Sequence, residues 1–163
     1  MIRKRLSLVL GLVGAFSAHI SFAQDIPFAE QPYHGMGNRQ PMLLALADLM
    51  SLAQDRHIKI WQAGKANHYA LVTYEANKLS DSLYRAASLY SNIPVPLVKA
   101  ADAALMRISA AADKRNGAEF QTAFRDLTTA CNDCHQAAGI AFVKIKTPTS
   151  SPFTNQDFAP TKQ

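Results

Sequence analysis

The sequence predicts an all-α protein: an up-down-up-down antiparallel four-helix bundle with irregular amino- and carboxyl-terminal tails. Three observations carry that expectation. Apolar residues recur at helical spacing in four separate runs between about residues 41 and 146. The runs are separated by short breaks of Gly, Pro and Asn, which favour antiparallel neighbours. No convincing strand pattern lies between them.

The first helix is expected from Pro41, suited to a first turn, to Ala63, with Gly64 closing it. At about 100° per residue, Leu43, Ala47, Met50, Gln54, His57 and Trp61 share a stripe. Leu46, Leu49, Ala53 and Ile60 widen it, and Asp48, Ser51, Asp55, Lys59 and Gln62 take the opposite face. The second helix, about Asn67 to Tyr90, aligns Val72, Ala76, Leu79, Leu83, Ala86 and Tyr90. Asn92-Ile93-Pro94-Val95-Pro96 breaks the chain. The third, about Pro96 to Lys114, aligns Leu97, Ala101, Ala104, Ile108 and Ala111, and Asn116-Gly117 is a turn signal. The fourth, about Ala118 to Phe142, aligns Phe120, Phe124, Leu127, Cys131, Cys134, Ala138 and Phe142, with His135 at the edge of that face.

The ends read differently. Met1 to Arg5 is cationic, Leu6 to Ile20 is apolar, and Ser21-Phe22-Ala23 offers the small residues of a cleavage site. An apolar run of roughly 15 residues is short of the roughly 20 that span a bilayer. Residues 1–23 are therefore expected to be a signal peptide, with export to the periplasm and no stable membrane span after cleavage. Residues 24–40 and 147–163 are rich in Pro, Gly and polar residues and are expected to be irregular. That leaves 41–146 as a single helical domain. Loss of Arg3, Lys4 and Arg5 lowers the formal charge from +5 to +2. No basic cluster survives, which argues against a nucleic-acid surface. The mild positive balance is compatible with acidic redox partner proteins. The pattern leaves open a homodimer of bundles.

The two cysteines stand three apart, in Cys131-Asn132-Asp133-Cys134-His135. Such a pair cannot staple distant parts of a fold, so its use is local chemistry. C-x-x-C-H is the attachment pattern for one covalent haem c. Two thiols on one helical turn reach the two porphyrin vinyl groups, and the adjacent imidazole is held as the proximal iron ligand. A zinc site wants about four ligands and there is no second cysteine pair. A dithiol redox site wants a βαβ context, and this motif sits in a helical one. A buried disulfide or a free dithiol is the remaining alternative.

Two residues compete for the distal side of the iron. In an antiparallel bundle the start of the first helix lies beside the end of the fourth. His135, about seven residues before the expected end, then lies level with a position roughly 7 to 10 residues into the first helix, near Met50. His57 shares the stripe, about 10 Å further along. The bland alternatives are a gap-filling core methionine and a hydrogen-bonded core histidine. Met36, Met42 and Met106 have weaker positional claims. His34 and His68 are expected to be solvated, and Trp61 and Tyr69 to pack at the far end.

Haem attachment near the carboxyl end of a four-helix chain resembles the class II cytochromes c, the cytochrome c prime group, over about Pro41 to Phe142. Gln54-Asp55-Arg56-His57-Ile58-Lys59-Ile60-Trp61-Gln62-Ala63-Gly64 and Pro152-Phe153-Thr154-Asn155-Gln156-Asp157-Phe158-Ala159-Pro160 are similar to runs in bacterial periplasmic c-type cytochromes. The resemblance implies thioether anchors at Cys131 and Cys134, a proximal ligand at His135 and a distal residue at or near Met50. Cytochromes c prime usually carry Lys or Arg soon after the motif histidine, whereas Gln136-Ala137-Ala138-Gly139 follows here.

Single-electron transfer is the function expected. It needs no catalytic acid or base, and no other catalytic motif is present. The alternative is a five-coordinate haem that binds nitric oxide or carbon monoxide, in which Met50 only packs. Peroxide chemistry beside His57 and Gln54 is a weaker third reading, because no Arg–His pair is placed for it.

Overall fold

The computed structural model describes residues 45–160. The expected signal peptide, the 24–40 segment, Pro41, and His34, Met36 and Met42 lie outside them. Four helices form: α1 (Leu46–Lys65), α2 (Tyr69–Leu89), α3 (Val95–Asp113) and α4 (Gly117–Ala137). There is no strand among the described residues. Connections of three, five and three residues turn each helix back on the last, giving the four-helix bundle that the sequence predicts.

Local chemistry sets the helix ends. Asn116 caps α4, its Oδ1 accepting from the Glu119 N–H at 3.1 Å, and Pro96 sits in the first turn of α3. Three helices close on a left-handed residue: Asn67 (φ 59°), Arg115 (φ 52°) and Gly139 (φ 71°). In each the next residue's N–H reaches back to the last turn, as in His68 N–H to Ala63 O, Asn116 N–H to Ala111 O and Ile140 N–H to His135 O.

Several sequence expectations are corrected by this arrangement. Ala45 is extended (ψ 153°), so α1 begins at Leu46 and not at Pro41. Gly64 does not end α1; the helix runs to Lys65 and Asn67 closes it. What Gly64 provides is room, since a Cβ there would collide with the Phe120 ring of α4. The fourth helix ends at Ala137, five residues before Phe142, because Gly139 takes the left-handed conformation that stops it. Phe142 is consequently 83 % exposed rather than part of the core stripe.

The core consists of Ile60, Val72, Leu79, Ile108, Phe124 and Leu127, all essentially sealed from solvent. Buried alanines such as Ala63, Ala76, Ala104 and Ala111 let the helices approach closely. Glu75, which the α2 stripe did not mark, is buried and bridges to Arg56 of α1 at 3.0 Å. The pairs α1–α2, α2–α3 and α3–α4 pack along their lengths, while α1 and α4 touch only locally. They meet where Trp61 stacks on Phe120 (centroids 6.0 Å apart) and His57 lies against Phe124 (4.5 Å). Toward the other end they part. The tail from Thr147 to Pro160, the described part of the 147–163 segment, is irregular as expected, yet it is docked. Phe153 sits under the Lys59 ammonium, 4.8 Å from Nζ, and Phe158 packs against the core.

Candidate functional site

Where α1 and α4 part, the bundle encloses a cavity of about 510 Å³. That is within the ordinary range for a small-molecule or cofactor site, roughly 300–1,000 Å³. Its walls are mainly apolar: Leu79 and Leu83 from α2, and Leu97, Val98 and Ala101 from α3. Onto this space converge Met50 and His57 of α1 and Cys131, Cys134 and His135 of α4. The lid is the segment just past α4, through Ile140, Val143 and Ile145. All five residues singled out from the sequence therefore line one cavity, although they come from opposite ends of the domain.

The register follows from the α1–α4 contacts. Trp61 meets Phe120, and His57 meets both Phe124 and Thr128. Each step of α1 toward its amino end is thus one step of α4 toward its carboxyl end. Continued along both helices, that places Met50 level with Cys131 to His135, and His57 about two turns deeper, roughly 10 Å at 1.5 Å per residue. His135 lies in the last turn of α4 rather than seven residues before its end, and Met50 is a half-buried wall residue rather than the middle of the buried stripe, because α1 turns Leu49, Ala53 and Ile60 inward.

Each polar group has a defined state. The Val143 carbonyl can only accept, so His135 Nδ1, 2.5 Å from it, carries the proton. That bond occupies Nδ1 and leaves Nε2 as the nitrogen a metal would use. His57 is 3 % exposed. Its Nε2 is 2.9 Å from Thr128 Oγ1, and the Thr128 hydroxyl donates to the Phe124 carbonyl at 2.9 Å. The hydroxyl proton is committed, so His57 Nε2 donates to it. Burial lowers the His57 pKa to about 4, and the ring is neutral at physiological pH.

The thiols lie side by side on one turn of α4 and are unpaired. Burial, then the neighbouring Cys134, pushes Cys131 up to about 12, and burial raises Cys134 as well. Both are protonated, unlike the low-pKa thiols of disulfide-exchange sites. Among the described residues no group of three or more His, Cys, Asp or Glu is assembled to hold a metal ion, so the zinc reading gains no ligands. Apolar walls, two adjacent thiols and an imidazole whose Nδ1 is already bonded fit a largely apolar group that carries a metal.

The remaining candidates lie elsewhere. Met106 is 68 % exposed and lines a shallow groove between α2 and α3. His68 stands at the N-cap position of α2 without a side-chain capping bond and is half-buried, with its Nδ1 sealed from solvent, rather than solvated. Trp61 and Tyr69 pack against the core as expected. Sequence reasoning missed Thr128, a neighbour of His57 only through the helix pairing. It also missed Asn132, whose side chain bonds the returning backbone at Ile145; its place inside the motif was the one available signal. No helix among the described residues is long and apolar enough to cross a membrane. The chain matches no protein family, no curated protein and no solved structure.

Proposed function

We propose that this chain is an exported c-type cytochrome of the class II kind, holding one covalent haem and passing single electrons between protein partners. One observation carries the reading. Cys131, Cys134 and His135, the last with Nδ1 engaged by the Val143 carbonyl, converge on an apolar cavity between α1 and α4. In this reading Cys131 and Cys134 hold the porphyrin edge through thioether bonds, and His135 is the proximal ligand. The group, when bound, supplies an iron that changes oxidation state by one electron.

The chain's own residues do the rest. The Leu and Val walls lower the local polarity and favour the less charged state of the centre. Val143 fixes the tautomer of His135. Met50 is the better candidate for the distal ligand, because it stands level with the motif and its thioether is a soft donor. His57 is deeper, with Nε2 engaged by Thr128, and serves as a neutral polar wall residue. No acid or base catalyst is needed.

The test is the visible spectrum of the purified protein, oxidised and reduced, with and without carbon monoxide. A low-spin spectrum indifferent to the gas, turned high-spin by Met50→Ala, is the expected result. A high-spin spectrum that shifts with carbon monoxide would put the gas-binding alternative ahead. Cys131→Ala with Cys134→Ala should leave no haem stain on a denaturing gel, and a retained stain would sink the reading. Export predicts a mature amino terminus at Gln24, read by mass spectrometry of the periplasmic fraction.

A further inference from the structure

Past Gly139 the chain doubles back over α4, and the residue that holds it there lies inside the motif. Asn132 Nδ2 donates to the Ile145 carbonyl at 2.9 Å, and the Ile145 N–H donates to Asn132 Oδ1 at 2.8 Å. A side-chain amide offers a separate donor and acceptor, and here they satisfy both backbone groups of one residue. Within the returned segment the Val143 N–H bonds the Ile140 carbonyl at 2.8 Å, and the Val143 carbonyl faces His135 Nδ1. Ile140, Val143 and Ile145 also wall the cavity. Without Asn132, the segment between Gly139 and the docked Phe153 would keep its apolar contacts, the Ile140 N–H bond to the His135 carbonyl and the Val143 bonds, but no side-chain anchor at Ile145.

We propose that Asn132 is a positioning residue for the proximal ligand: by pairing with Ile145 it holds the Val143 carbonyl on His135 Nδ1. The proposal rests on the haem reading above and deepens it by naming what regulates the potential of that site. A carbonyl held on Nδ1–H makes the imidazole a stronger donor through Nε2, and a stronger donor favours the oxidised iron. Asn132 also suits this use better than it suits its helix, since Asn is a weak helix former in an interior position.

The experiment uses the haem-bearing protein and the variants Asn132→Leu and Asn132→Ser, with Gln136→Ala as a neighbouring exposed control. Covalent haem is verified on the parent first. Its absence there would overturn the haem reading and this proposal together, before any variant is compared. Hydrogen–deuterium exchange at the Ile145 amide reads the latch itself, and a redox titration reads its effect on iron. In Asn132→Leu the Ile145 amide should exchange at least roughly tenfold faster, and the potential should rise. Loss of an outer-shell partner typically costs at least about tenfold, which is about 59 mV for one electron. Asn132→Ser, which keeps one short hydrogen-bonding group and is the gentler change for folding, should move both readouts in the same direction. Gln136→Ala should move neither. An Ile145 amide unprotected in the parent would overturn the latch. Faster exchange with an unchanged potential would make Asn132 a structural tether only, and would overturn its role toward the ligand.

Discussion

A single histidine shows how burial becomes a pH dependence. His57 carries no charge in the folded chain because burial holds its pKa at about 4, against 6.5 when unfolded. Between those values the unfolded chain binds the extra proton, so stability falls as pH drops from 6.5 toward 4 and levels off below. At about 1.4 kcal/mol per pH unit, the full window amounts to about 3 kcal/mol. His57→Leu removes the titrating group and leaves Thr128 bonded to the Phe124 carbonyl. Urea titrations at pH 7 and pH 4.5 should show a smaller acid loss in the variant than in the parent. Equal losses would mean that His57 takes up its proton without leaving the folded state.

At the scale of elements, the two ends of the α4 region behave in opposite ways. Phe142 continues the helical stripe in sequence, but Gly139 stops the helix and leaves it 83 % exposed. Phe158 lies in a proline-rich tail that looks dispensable, but it packs against the core. Phe158→Ala should therefore cost about 2 kcal/mol, below the 3–5 of a fully buried ring. Phe142→Ala should stay within about 0.5 kcal/mol. Chemical denaturation of the two variants decides between them, and equal costs would mean that the tail is not docked. Lys59 over Phe153 and the seat of Phe158 anchor the tail to the bundle.

For the whole molecule, the shape of the site is set by where α1 and α4 come together. Gly64 lets the Phe120 ring lie against the α1 backbone, and Trp61 and Phe124 complete that aromatic contact. From this closed end the helices part to leave the cavity. Gly64→Ala would gain roughly 1 kcal/mol of helix propensity but force the buried Phe120 ring aside, an overpacking cost of about 1–3 kcal/mol. A net loss of about 1 kcal/mol, and a shift in the absorption bands of the proposed haem, are expected from thermal melts and visible spectra. A more stable variant with an unchanged spectrum would show that the contact does not set the opening.

The sequence by itself determined the four helices, because apolar spacing, Pro, Gly and Asn act within a few residues along the chain. It likewise marked Cys131, Cys134 and His135, whose chemistry depends on one helical turn. Met50 was legible in outline, since antiparallel pairing brings its end of α1 to the motif. The tertiary structure alone decided the rest. Helix ends shifted where left-handed residues at Asn67 and Gly139 closed the last turn. Gly64 proved to be a packing site rather than a stop, and Glu75 was buried by its pairing with Arg56. Thr128 reached His57, and Asn132 reached Ile145, across gaps in sequence that no local pattern records. The physical reason is range: helix formation is governed by neighbours three and four residues away, whereas the cavity and its hydrogen bonds exist only once distant segments are packed.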